Sequence, residues 1–224
     1  MLDHGPRPIS LRGVALVFLT RAVSCELVIK RSRFVAQLFP ATSEAQARGH
    51  INQASKTHHA ARHHCSAWVL GPTGQLQRSN DAGEPAGTAG LPMLEVLRRR
   101  QVTDLVAVVS RYFGGTLLGA KGLVRAYSGA VTGALDQAQL ERKALLDIVH
   151  LIVDPAQAGR QEARLRSLVA ATSGAALLSV EHGGTSRFEL ALDQAGRDAL
   201  DQALASGRIQ ARLNEAGQRL IRLS

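Results

Sequence analysis

The sequence predicts an α+β protein of two domains, the second of them ferredoxin-like, and three observations carry that expectation. From Leu145 the apolar pattern runs strand, helix, strand, strand, helix, strand, the order of a ferredoxin-like sandwich. Ahead of it lie two glycine-rich blocks, N-D-A-G-E-P-A-G-T-A-G from Asn80 and R-Y-F-G-G-T-L-L-G-A-K-G-L-V-R-A-Y from Arg111, on either side of a helix and a buried strand. Charge divides at nearly the same place. Residues 1–144 hold 18 Lys and Arg against 9 Asp and Glu, whereas residues 145–224 hold nine of each. The surplus in the first part points to a polyanionic partner for that part and leaves the second electrostatically bland.

The elements follow in order. Val14–Leu19 is apolar and follows Arg7 and Arg12, but it is too short for a membrane span or a signal-peptide core. It reads as a first strand or as an N-terminal extension. Leu27–Ile29 and Phe34–Phe39 read as strands joined by a basic turn containing Lys30, Arg31 and Arg33. Ser43 opens a capping-box pattern, and Ala47, Ile51 and Ala54 share a helical face to about Thr57. His64–Leu70 is a strand stopped by G-P-T-G. Leu91–Arg100 is a helix with Pro92 in its first turn, Leu94 and Leu97 inward and three arginines at its C-terminal end, where they suit the dipole. Leu105–Val109 is a buried central strand by its continuous apolar run. Gly119–Gln139 is the longest helix, with Leu123, Val124, Tyr127, Val131, Ala134, Leu135 and Ala138 on its inner face.

In the second part Leu145–Val153 is a strand, Asp154 and Pro155 begin a helix, and Gly174 closes it. Ala176–Val180 and Arg187–Leu192 form a hairpin around Gly183 and Gly184. A helix over Gln194–Ala205 precedes strands at Ile209–Leu213 and Arg219–Leu223. The expected domains are 20–140 and 145–224, with 1–19 an extension or first strand. Two cysteines, Cys25 and Cys65, cannot build a disulfide framework, so a reducing cytoplasm is expected.

The glycine blocks are where chemistry is expected. Gly83, Gly87 and Gly90, with Thr88 and Ala89, allow a backbone to bend around a ligand and point amides inward, with a helix N-terminus just behind. That makes an anion site without a charged side chain. The second block follows the central strand with Arg111, Tyr112, Gly114 and Gly115 and opens a helix bearing Lys121 and Arg125. Strand-to-helix crossings of this kind take ligands in open sheets, and arginines suit phosphate. Tyr112 and Phe113 alternate, so one can face the core while the other is available for base stacking. Neither block is a nucleotide-hydrolysing loop or a dinucleotide fingerprint.

The run T-H-H-A-A-R-H-H-C (Thr57–Cys65) offers possible metal ligands, but alternation along a strand splits His63 and Cys65 from His64, and no second donor cluster exists. No metal and no organic cofactor is expected. If the chain is an enzyme, Asp81 and Glu84 are the acid and base candidates, and Cys65 beside His63 or His64 a nucleophile without an evident orienting partner.

Read together, S-R-F-V-A (Ser32–Ala36), A-R-H-H-C-S-A-W (Ala61–Trp68), G-E-P-A-G-T-A-G-L-P-M-L-E-V-L and V-V-S-R-Y-F-G-G-T-L-L-G resemble the IMPACT/YigZ family over about residues 20–135. The resemblance implies a first domain with the ribosomal-protein domain-2-like fold, a left-handed βαβ arrangement. It implies a second, ferredoxin-like domain similar to a terminal domain of elongation factor G. It also implies regulation of translation, as in eukaryotic relatives, with nucleic-acid or ribosome binding inferred by analogy of fold. Two departures from the family stand out. Ala82 follows Asp81 where the family usually has a second aspartate, and Lys121 stands where it usually has glycine. Both favour holding an anion and disfavour metal-assisted hydrolysis.

The preferred expectation is therefore a non-catalytic cytoplasmic protein, not bound to a membrane, that engages RNA or the ribosome and acts in translation. Its site would be Gly83, Gly87, Thr88, Ala89, Gly90, Arg111, Tyr112, Gly114, Gly115, Lys121 and Arg125, supported by Arg33, His63 and Cys65. The alternative is a hydrolase-type enzyme using Asp81 and Glu84 on a small phosphorylated or peptide substrate. A third reading has the G-E-P-A-G-T-A-G loop contact a protein partner in translation control.

Overall fold

The computed structural model describes residues 15–223, and these divide into two compact units, Leu16–Glu141 and 142–223 together with Ala15. Val14, Arg7 and Arg12 of the N-terminal run lie outside the described residues. Along the first unit run β1 (Leu16–Leu19), β2 (Val23–Ile29), β3 (Ser32–Pro40), α1 (Glu44–Thr57), β4 (His63–Leu70), β5 (Leu76–Asn80), α2 (Gly90–Arg99), β6 (Val102–Thr103), β7 (Leu105–Tyr112) and α3 (Gly119–Asp136).

Five of these strands make an antiparallel sheet in the order β2-β3-β7-β4-β5. The apolar run of β7 puts it in the middle, since a strand buried on both faces needs a neighbour on each edge and a layer on each side. Leu105, Ala107 and Val109 face a core shared with Met93 and Leu97 of α2 and Leu123, Tyr127, Val131 and Leu135 of α3. Val106 and Val108 face the other way, against Ala47 and Ala54 of α1 and Trp68 and Leu70 of β4. Because β3 and β4 are both antiparallel to β7, they are parallel to each other, and α1 makes the βαβ connection across β7. Ser43 caps α1 by accepting from the Gln46 amide, and the Gln46 side chain reaches back to the Thr42 amide, so the capping signal in the sequence acts in the fold.

Strand β5 was not expected. Its residues, L-Q-R-S-N, are all exposed, so no alternation marks them. Its pairing with Ser66–Leu70 is a long-range choice that the local sequence does not display. Within α3, Val124 was expected inward but is 37% exposed. The buried stripe runs through Leu123, Ala126, Tyr127, Ala130, Val131 and Ala134, which rotates Val124 off the core.

The second unit contains all but the first two residues of β8 (Leu140–Val153), a 3-10 turn at Pro155–Gln157, α4 (Ala158–Ala171), β9 (Ala175–Glu181), β10 (Ser186–Leu192), α5 (Gln194–Ala205) and β11 (Arg212–Arg222). Its sheet order is β11-β8-β10-β9 with every neighbouring pair antiparallel, the ferredoxin-like arrangement. Val149, Leu151 and Val153 of β8 and Phe188, Leu190 and Leu192 of β10 pack on Leu165 of α4 and Leu200 of α5. Two expectations change. Strand β8 begins at Leu140, five residues before Leu145, and the two expected final strands are one, β11, interrupted by a register shift between Glu215 and Gln218. Gly217 at φ +85° supplies the left-handed residue that such a bulge uses. Among the described residues, no helix is long and apolar enough to cross a membrane.

Candidate functional site

The two glycine blocks meet, Glu84 of the first bonding to Arg111 and Tyr127 of the second, but they differ in chemistry. The first, Asp81–Gly90, neutralises itself. Asp81 accepts from the amides of Gly87 (2.8 Å), Ala89 (2.9 Å) and Gly90 (2.8 Å). The anion held by these amides and by the N-terminus of α2 is thus the chain's own carboxylate. Burial works against ionisation of Asp81, but the three amide donors outweigh it and hold the carboxyl below its ordinary range. The loop reaches this shape through Ala82 and Gly83, both left-handed at φ +46° and +86°. The Ala82 amide bonds to the Asn80 side chain (2.8 Å), and Thr88 bonds through its hydroxyl to the Pro85 carbonyl (2.6 Å). Gly90 is obligatory for packing, because a Cβ there would lie 2.6 Å from the Asn80 nitrogen.

Beneath the loop is a buried polar cluster. Glu84 Oε1 accepts from Arg111 Nη1 (2.6 Å) and from the Tyr127 hydroxyl (2.7 Å), with Glu84 and Arg111 only 8% and 7% exposed. Tyr127 packs edge-on to Phe34, and the Arg111 guanidinium lies 5.5 Å from the Phe34 ring centre. The Cys65 thiol donates to the Asp81 carbonyl (3.0 Å). Burial pushes the Cys65 thiol up to about 12 and raises the Tyr127 hydroxyl further above its ordinary range, so both stay protonated donors. Arg111, expected to face a phosphate, is instead spent on Glu84. Asp81 and Glu84, expected as acid and base, bond respectively to three amides and to the Arg111–Tyr127 pair.

The histidines also separate. His63 Nδ1 meets the Ala82 carbonyl (2.9 Å), His64 Nδ1 meets Ser110 Oγ (2.9 Å), and His58 Nδ1 meets the Tyr112 hydroxyl (2.9 Å). Burial, followed by the neighbouring His58 and His63, lowers the His64 value below its ordinary range. Arg33 makes a double hydrogen bond with Glu26 (3.0 and 2.9 Å) and lies 4.9 Å from the Tyr112 ring centre. Tyr112 is thus engaged on two sides, and Phe113 is the aromatic left 43% exposed.

The second block is the one with unspent charge. Lys30 and Arg31 form the two-residue turn between β2 and β3, where Ile29 pairs with Ser32. This turn touches the block directly. The Gly114 amide bonds to Ser32 Oγ (3.1 Å), and a Cβ on Gly114 would fall 2.0 Å from the Arg31 carbonyl carbon. The register of α3 brings its cations to the same end. A Cβ on Gly133 would meet Cys25 and one on Gly129 would meet Leu27, so four helix residues, about 6 Å, match two strand residues, about 6.6 Å. Continuing that step puts Arg125 level with Ile29, the last residue of β2, and Lys121 one helical turn further towards the end of the sheet that carries the Lys30–Arg31 turn. Lys30, Arg31, Lys121 and Arg125 are exposed and have no ion-pair partner among the described residues. The N-terminus of α3 adds to this field, having no side-chain cap and no acidic residue in its first turn. Sequence reasoning placed Lys121 and Arg125 here but took Lys30 and Arg31 only as a turn. The run K-R-S-R was the available signal.

Residues 30–135 match the family model described as the Impact N-terminal domain. The chain is 45% identical over 141 residues to the IMPACT family member YvyE of Bacillus subtilis, a match spanning 63% of this chain and 65% of that protein. It is 46% identical over 117 residues to the IMPACT family member YigZ of Escherichia coli, across 51% of this chain and 57% of that protein. The matched region thus spans less than two thirds of the length of these curated relatives. A solved structure described as the crystal structure of an hypothetical protein is 33% identical, with a TM-score of 0.56, covering 89% of this chain and 96% of that one.

Proposed function

We propose that this chain, which belongs to the IMPACT family through its first unit, is a binding protein that engages RNA, free or in the ribosome, and acts in the regulation of translation. The observation that carries the reading is the contrast between the two glycine blocks. The charges of Asp81, Glu84 and Arg111 are consumed inside the protein. Those of Lys30, Arg31, Lys121 and Arg125 are carried by the turn that touches the second glycine loop and by the helix that the loop opens, and no ion pair among the described residues neutralises them. Four exposed cations beside an uncapped helix N-terminus form a surface for a polyanion. The family resemblance supports translation as the setting. The six-residue excess of Lys and Arg over Asp and Glu in Leu16–Glu141 adds the long-range attraction.

The test is binding of the full chain to RNA across a salt series. Affinity should fall linearly on a log–log plot, and Lys121→Ala with Arg125→Ala should reduce the slope by about 1.4 for single strands, at roughly 0.7 per phosphate contact. Crosslinking in cells should enrich RNA with the wild type and lose it with the double variant. Binding that ignores salt, or a double variant that binds as the wild type does, would sink the reading.

A further inference from the structure

We propose that this surface takes single-stranded RNA in preference to duplex, with an unpaired base stacked on Phe113. The inference rests on the nucleic-acid reading above and adds to it the form of the ligand. Phe113 stands where the buried cluster ends and the cationic surface begins. On the inner side the Arg111 guanidinium lies 5.7 Å from its ring centre, and Arg111 is itself held by Glu84. The ring is thereby braced from within while 43% of the residue remains exposed. Its neighbour Tyr112 cannot serve in its place, being engaged by His58 and Arg33.

The backbone beyond Phe113 keeps the approach low. Gly114 and Gly115 carry no side chain, and a Cβ on Gly115 or Gly119 would meet nothing within 4 Å. Lys30 and Arg31 on one side and Lys121 and Arg125 on the other supply the phosphate contacts. A duplex keeps its bases stacked inside and can use only the cations, whereas a single strand can use the cations and the exposed ring together. An anionic membrane would also meet cations beside apolar groups. However, the exposed large apolar residues beside these cations on the loop and the start of α3 are Phe113, Leu117 and Val124, little area for interfacial insertion.

The experiment measures fluorescence anisotropy of the full chain with an oligouridine of about 12 nucleotides and an adenosine–uridine duplex of equal length, within the usual site size for single-strand binders. Phe113→Ala should weaken single-strand binding by about 5- to 150-fold, the range of one base–aromatic stack, and leave duplex binding within about twofold. Phe113→Leu, which keeps apolar bulk, should lose nearly as much, and Phe113→Trp should retain affinity. The salt slope should be the same in all four proteins, because no cation is removed. Equal weakening of both ligands, or no weakening, overturns the stacking inference while salt-dependent binding lost on Lys121→Ala keeps the broader reading. Binding to the duplex alone overturns the inference and leaves the broader reading, and failure of both RNAs to bind overturns both. Tighter binding to phosphatidylserine vesicles than to the single strand, lost in Phe113→Ala, overturns the inference in favour of a membrane.

Discussion

The turn at Lys30 and Arg31 should be less stable than the sequence could have made it, and replacing it should trade binding for stability. Both residues are left-handed, at φ +45° and +65°, in a two-residue hairpin loop, a geometry for which Asn-Gly is the favoured pair. A residue with a Cβ costs about 1 kcal/mol or more in this region. Lys30→Asn recovers about half of that, and Arg31→Gly recovers about 1 kcal/mol less the extra entropy of glycine in the unfolded chain. The net gain expected for the double variant is about 0.5–1 kcal/mol, or roughly 1–4 °C in Tm for a protein of this size. The same change deletes two cations. If each neutralises one phosphate, single-strand binding should lose about 1.4 from its salt slope and about 25-fold in affinity at 0.1 M salt. Scanning calorimetry and anisotropy on the same samples check both halves. A lower Tm would show that the turn is not strained as its dihedrals indicate, and unchanged RNA affinity would remove Lys30 and Arg31 from the site.

Three further outcomes follow from the buried parts. Asp81→Ala should cost about 2 kcal/mol in urea denaturation, because three amides lose a charged acceptor. Since the folded Asp81 carboxyl lies below its ordinary value of 3.8, its contribution is present above that pH and is lost as pH falls through the folded value, so wild-type and Asp81→Asn stabilities should converge in strong acid. With its thiol raised to about 12 by burial, Cys65 should resist a disulfide reagent at pH 8 until the protein unfolds, while the partly buried Cys25 reacts faster in the native state; prompt reaction of Cys65 at the rate of Cys25 counts against the buried cluster. Gly114→Ala, with a Cβ 2.0 Å from backbone of the Lys30–Arg31 turn, should destabilise by about 3 kcal/mol or more. Gly115→Ala, strained only by its φ of +82°, should cost about 1 kcal/mol, and equal Tm losses for the two would contradict the packing described.

What the sequence disclosed and what it withheld divide along a physical line. Helix α1 was legible because Ser43, Gln46 and the Ala47–Ile51–Ala54 spacing are local signals, and α5 matches at both ends, Gln194 and Ala205. Strand β7 was legible because burial on both faces writes itself as an unbroken apolar run. Strand β5 was not, since nothing in five exposed residues distinguishes a paired edge from a loop. In the candidate site, glycine spacing identified the loop at Asp81–Gly90 but not its occupant. Sequence reading counts amides and carboxylates separately, and only the fold shows that the Asp81 carboxylate turns onto the amides of Gly87, Ala89 and Gly90. Arg111 illustrates the same difficulty. Its placement at a strand end fits a phosphate ligand and an internal ion pair equally well, and the partner 27 positions away decides between them.

The two blocks therefore form a support and a surface. Arg111 connects them, pinned by Glu84 below and lying against Phe113 above, and its Nε is buried without a partner. An arginine held on one side by a carboxylate and on two others by the rings of Phe34 and Phe113 has little freedom to swing out to a ligand. Its charge is already balanced, so its contribution to any bound anion is through the position of Phe113. The four cations beyond the ring have the opposite character, being exposed and unbalanced. A ligand that met only the cations would be held by charge alone and would slide. One that also met the ring would be positioned by it, because the ring lies against the Arg111 guanidinium that Glu84 holds.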